Sequence, residues 1–119
     1  MKKILIAEDN DSNFILMTYI LKKYYQYERA KNGQEAVDLV GKNEYDLVLM
    51  DIKMPVMGGL EATKKIKEIR PELPIIAVTA NAFDSDRQAA FDAGCDDFLS
   101  KPISSDICLA TIAKVFGED

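Results

Sequence analysis

Not one of the 119 residues is histidine, and tryptophan is missing as well. Without imidazole there is no Ser-His or Cys-His nucleophile pair, no histidine-ligated zinc and no imidazole general base. Cysteine occurs only at Cys95 and Cys108, at a spacing that fits no metal-ligand motif. Both read as small core residues in a reducing compartment. Apolar runs are short: Phe14 to Met17 and Leu73 to Val78 fall far below the roughly 20 residues a membrane-crossing helix needs. Lys2 and Lys3 precede only Ile4 to Ala7 before acid begins, so no signal peptide is visible. A cytoplasmic chain without membrane contact is expected. Basic clusters are missing too. Fifteen Lys and Arg are scattered among twenty Asp and Glu, for a net charge of −5. That balance argues against direct nucleic-acid binding, which wants a basic face.

What is present is a regular alternation. The length suits one ordinary domain with one hydrophobic core. Short apolar runs stand at Lys3–Ala7, Asp46–Met50, Pro74–Thr79 and Asp97–Leu99, and the β-branched and Leu-rich ones among them predict strands buried on both faces of a parallel sheet. Gln26–Ala30 is more polar and suits an edge strand. Between them Phe14, Met17, Leu21 and Tyr24 repeat at helical spacing, with Asp11 or Ser12 as the cap. Ala36, Val37 and Val40 follow Gly33, and Leu60, Thr63, Ile66 and Ile69 lie between Gly59 and Pro71. Asp84 caps a helix that Gly94 ends, and Ser104 or Ser105 caps the last. Strands alternating with helices imply βα units and a doubly wound parallel sheet of the α/β class.

Ligands of such sheets bind beyond the carboxyl ends of the strands. Standing there are Glu8 and Asp9 after the first strand, Asp51 at the third, Thr79 at the fourth and Lys101 after the fifth. Any one of them could be a strand end emerging into water. Three carboxylates, a hydroxyl and a lysine on one edge are a different matter. Gathered carboxylates repel and call for a cation, and an all-oxygen set without thiolate or imidazole points to Mg2+. Lys101 can neutralise a phosphoryl oxygen, and Thr79 adds a donor. Asp51, the acid at the centre, is the natural carboxylate nucleophile for an acyl-phosphate.

Four segments carry a family resemblance: Ile6–Asn10, Asp46–Pro55, Val78–Ala82 and Asp97–Pro102. Together, from Lys3 to about Phe116, the chain resembles the receiver domains of response regulators in two-component signalling. The resemblance implies a single receiver domain over 1–119, a flavodoxin-like (βα)5 fold and strand order 2-1-3-4-5. It makes Asp51 the phospho-acceptor, with Glu8, Asp9 and the Lys53 carbonyl helping to hold Mg2+. Asp9 is expected to touch the metal directly and Glu8 through water. Thr79 and Lys101 would follow the phosphoryl group, Phe98 would be the aromatic switch, and Lys101–Pro102 would be a cis peptide bond. The wording of Asp9–Asn10 with Asn13, Glu61–Thr63, Thr79–Asn81 and Ser100–Ile103 looks most like receivers fused to hybrid histidine kinases. The implied partner is a histidine kinase or histidine phosphotransfer domain in a phosphorelay. Gly58–Gly59 stands where the family usually has an acid-glycine pair, which bears on loop flexibility rather than on chemistry.

Lys53 also places an ammonium two residues beyond Asp51. With Asn81 opposite, it is expected to hold phosphoryl oxygens, crowd the attacking water and slow hydrolysis. The same residue weighs against the second reading, a magnesium-dependent phosphohydrolase with an aspartyl-phosphate intermediate, whose second acid commonly stands at that position. A nucleotide or flavin binder would need a glycine-rich loop after the first strand, where Glu8 and Asp9 stand instead. Ile107, Leu109, Ile112, Val115 and Phe116 make the last helix apolar around more than one face. That surface suits a fused kinase domain or a second copy in a homodimer.

Overall fold

The computed structural model describes residues 1–80 and 84–118. Along them run β1 (Lys3–Ala7), α1 (Asp11–Leu21), β2 (Gln26–Ala30), α2 (Gly33–Lys42), β3 (Leu47–Asp51), α3 (Gly59–Ile69), β4 (Ile75–Thr79), α4 (Asp84–Ala93), β5 (Asp97–Ser100) and α5 (Ser105–Val115). The strands pair in parallel in the order β2-β1-β3-β4-β5. This is the expected flavodoxin-like arrangement.

β3 and β4 are buried at every position. A central strand of a parallel sheet has helices on both faces, so both alternate sets of its side chains must be apolar. Ile4, Ile6, Leu49, Ile76 and Val78 pack with Met17, Leu21, Cys108 and Ile112 of α1 and α5. Their sequence neighbours Leu5, Ala7, Val48, Met50 and Ala77 point the other way, onto Ala36, Val40, Ala62, Ile66 and Ala90 of α2, α3 and α4. Each Leu or Ile so buried contributes about 1.5–3 kcal/mol relative to exposure. β2 exposes Gln26 and Tyr27 and forms one edge of the sheet, as its polarity predicts.

The boundaries differ from expectation by about one residue. Asp46 stays outside β3, because its carboxylate accepts the Lys3 N–H at 2.7 Å. Pro74 has no N–H to give a ladder and precedes β4. α1 is capped by Asn10 rather than Asp11 or Ser12: the Asn10 side chain accepts the Asn13 N–H at 3.0 Å. That helix ends at Leu21, so Tyr24 lies beyond it and is exposed. Ser104 occupies the cap position of α5, but its side chain makes no capping bond. After α4, Gly94 adopts φ +115°, a backbone that glycine accepts without a Cβ penalty. Asn81, Ala82 and the capping side chain expected of Asp84 lie outside what the structure describes. Cys95 and Cys108 are buried, and burial pushes both thiols up to about 11. Among the described residues, no helix is long and apolar enough to cross a membrane.

Candidate functional site

The carboxyl ends of β1, β3, β4 and β5 open onto a cleft of about 240 Å³, lined among others by Glu8, Asp9, Asp51, Lys53, Thr79 and Lys101. The parallel sheet brings them together because residues at equivalent strand ends stand side by side. Asp51 is the last residue of β3 and still in register with Val78 of β4, while Thr79 pairs with Ser100 of β5. Lys101 follows directly, its N–H donating to the Thr79 carbonyl at 2.8 Å. The Lys101–Pro102 peptide bond is cis. Phe98 lies apart from the cleft, half-buried against the α2–α4 side of the core, with the Arg87 guanidinium 5.7 Å from its ring centre.

The charges in the cleft are unevenly placed. Glu8 is wholly buried, Asp51 and Thr79 nearly so, and Asp9 is exposed. Lys101 Nζ lies 3.1 Å from Glu8 Oε1 and 3.3 Å from Asp51 Oδ2. Asp51 Oδ1 accepts the backbone N–H of Lys53 at 3.2 Å, and Glu8 Oε2 accepts that of Asn10 at 3.2 Å. Burial, then the hydrogen bond and negative charge of Asp51, push the Glu8 carboxyl up to about 7; the Lys101 ammonium and the Asn10 N–H oppose this without prevailing. For Lys101, burial favours the neutral amine, but the pairs with Glu8 and Asp51 outweigh it and raise the pKa.

One ammonium is therefore shared between two buried carboxylates. Glu8 Oε1 accepts no well-directed hydrogen bond among the described residues, although Lys101 is close. A buried carboxylate oxygen whose one close partner is an ammonium shared with Asp51 leaves room for a second positive charge. Oxygen atoms of Glu8, Asp9 and Asp51 all lie within 4.8 Å of one another. An all-oxygen donor set at that separation fits a hard divalent ion such as Mg2+.

Two contributors were not singled out in the sequence as parts of the site. Asn10 caps α1 and braces Glu8 through its backbone. Arg29, on β2, reaches across to the backbone carbonyls of Glu8 at 3.1 Å and Asp9 at 3.3 Å. The one available signal was a lone arginine near the carboxyl end of an edge strand beside an acidic turn.

Residues 4–113 match the family model of the response regulator receiver domain. The polar-differentiation response regulator DivK of Brucella anthropi is 40% identical over 121 residues, covering 98% of this chain and 98% of that protein. Hybrid signal transduction histidine kinase I of Dictyostelium discoideum is 42% identical over 113 residues, which is 87% of this chain but only 6% of that kinase. Among solved structures, the receiver domain of a sensor histidine kinase from Pseudomonas aeruginosa PAO1, with a magnesium ion coordinated in its active-site cleft, superposes with a TM-score of 0.91. It is 32% identical and the match covers 98% of each chain. The chain belongs to the response regulator receiver domain family of two-component signalling.

Proposed function

We propose that residues 1–119 act as one receiver domain in the cytoplasm, and that Asp51 takes a phosphoryl group from a phosphohistidine. The observation that supports this most is the placement of Asp51: a nearly buried carboxylate at the end of β3, beside the Lys101 ammonium and the Glu8–Asp9 pair. An Asp51 carboxylate oxygen attacks phosphorus, the O–P bond forms as the N–P bond to the donor imidazole breaks, and the imidazole leaves to take up a proton. The product is an acyl-phosphate. The donor is a histidine kinase or a histidine phosphotransfer domain.

Asp9, Asp51 and the Lys53 carbonyl would hold Mg2+, with Glu8 acting through water. The bound ion supplies positive charge against the oxygens of the transferring phosphoryl group. The chain's own groups do the rest. Lys101 neutralises a phosphoryl oxygen, leaving Glu8 in exchange, and the Thr79 hydroxyl donates to another. Both move with the new charge, and Phe98 on β5 rotates as the neighbouring strand end shifts. The α4–β5–α5 face reports that state to a partner.

The test is transfer from a radiolabelled, phosphorylated histidine phosphotransfer domain. One equivalent of label should move to the chain, depend on magnesium and be released by hydroxylamine, as an acyl-phosphate is. Multiple turnovers of a small phosphate ester, with no labelled protein, would instead favour a phosphohydrolase.

Lys53 exposes its side chain at the mouth of the same cleft. There it holds the phosphoryl oxygens and crowds the attacking water. Lys53→Ala should shorten the lifetime of the aspartyl-phosphate several-fold, on the order of the factor that 1 kcal/mol represents. An unchanged decay, followed by loss of label, would remove Lys53 from the account.

A further inference from the structure

The acidic turn after β1 carries two of the three cleft carboxylates, and its backbone bonds hold the Glu8 N–H and the Glu8 carboxylate but leave the Glu8 and Asp9 carbonyls to be fixed from outside. Arg29 supplies that constraint. Its Nε donates to the Glu8 carbonyl at 3.1 Å and a terminal nitrogen to the Asp9 carbonyl at 3.3 Å. A planar guanidinium presents donors in a fixed fork, so two successive peptide groups are held in one relative orientation. The same terminal nitrogen lies 2.9 Å from Asp11 Oδ1 in the first turn of α1, and the guanidinium sits 4.5 Å from the Phe14 ring centre. Only 18% of the Arg29 side chain is exposed. The edge strand, the acidic turn and the start of α1 are thus joined through one side chain.

The consequence is directional. With both carbonyls turned towards Arg29, the Glu8 side chain goes inward to Lys101 and is fully buried, while Asp9 remains exposed at the cleft. The Glu8 N–H is held by the Ala30 carbonyl at 3.0 Å, one residue beyond Arg29 on the same strand. We infer that Arg29 is a positioning residue of the cation site, presetting Glu8 and Asp9 so that Mg2+ meets a formed cluster instead of a mobile loop. This rests on the magnesium reading of the site given above.

Charge and geometry make opposite demands here, which lets an experiment separate them. Arg29 is a cation near a cation site, so its field alone opposes Mg2+ binding. Removing only that field would tighten binding. Removing the fork weakens it, and outer-shell partners of this kind are typically worth about tenfold or more in metal affinity. Arg29→Lys keeps the charge and loses the fork; Arg29→Gln loses both.

The experiment is calorimetric titration of Mg2+ into wild type, Arg29→Lys and Arg29→Gln. It is paired with phosphorylation by acetyl phosphate across a magnesium series, with circular dichroism to show that each variant is folded. The expected result is a Kd for Mg2+ raised about tenfold in Arg29→Lys, and raised by less in Arg29→Gln, which also loses the opposing charge. The magnesium concentration for half-maximal phosphorylation should rise in step, and the maximal rate at saturating magnesium should stay near wild type. A merely structural role would lower the maximum without that shift. Variants that bind Mg2+ as well as wild type, or better, overturn the role of Arg29 alone. A wild type that binds no Mg2+ overturns the magnesium reading, and the role of Arg29 with it. Should Arg29→Gln fail to fold, Arg29→Lys decides the matter.

Discussion

Gly59→Ala should cost about 3 kcal/mol or more of folding stability, at or beyond the upper end of what one extra methyl does to a packed region. A Cβ on Gly59 would lie 2.1 Å from the Asp51 carbonyl oxygen, 2.8 Å from the Ile52 Cα and 2.9 Å from the Asp51 carbonyl carbon. All three are backbone atoms and none can rotate aside. The close approach is itself bonded, since the Gly59 N–H donates to the Ile52 carbonyl at 2.8 Å. The loop from Ile52 to Gly59 must therefore open, and the end of β3 moves with it. Gly58 is a control next door: a Cβ there meets only the Ile52 carbonyl oxygen at 3.5 Å, an ordinary contact. Urea denaturation should show a lowered midpoint for Gly59→Ala and little change for Gly58→Ala. Because the displaced backbone carries Asp51, Gly59→Ala should also take up phosphoryl from acetyl phosphate more slowly. A midpoint equal to wild type would mean that the loop adapts without strain.

The second large effect is a pH-dependent stabilisation by Glu8→Gln in the absence of magnesium. Glu8 is fully buried, and its carboxyl titrates near 7 in the fold against an ordinary 4.5. A raised carboxyl pKa means that the folded state binds more protons than the unfolded state between those values. Stability contributed by this group therefore falls as pH rises from 4.5 to 7, and its cost is fully present above 7. At 1.36 kcal/mol per pKa unit the cost is at most about 3 kcal/mol. Glutamine keeps the shape and removes the charge. Glu8→Gln should then be more stable than wild type at about pH 8 and nearly equal to it at about pH 4. Saturating Mg2+ should narrow the gap at the higher pH, because it stabilises the wild-type acid cluster by mass action. A variant less stable than wild type at the higher pH, without magnesium, would show that the ion pair to Lys101 outweighs the repulsion from Asp51.

Both effects depend on features that the sequence reveals unequally. The central strands were legible because burial on two faces demands unbroken apolar runs, and Leu47–Met50 and Ile75–Val78 have them. The edge position of β2 followed from its polarity for the same reason. The acids, Thr79 and Lys101 could be gathered on paper because a parallel sheet aligns its carboxyl ends. What stayed illegible depends on single contacts in space. Asn10, Asp11 and Ser12 all suit the cap of α1 by residue type, and only the backbone chooses Asn10. The need for glycine at 59 arises from a carbonyl eight residues earlier in the chain. Arg29 reads as one more charge on a polar strand until its fork is seen on the Glu8 and Asp9 carbonyls.

The central claim is that Asp51 forms an acyl-phosphate in a magnesium-dependent step, and intact-protein mass tests it most directly. Wild type and Asp51→Asn would be incubated with acetyl phosphate, each with and without Mg2+. The account predicts a single phosphoryl adduct on wild type, dependent on magnesium and missing from Asp51→Asn, with both proteins folded. An adduct of equal amount on Asp51→Asn, or none on folded wild type under any condition, would contradict it.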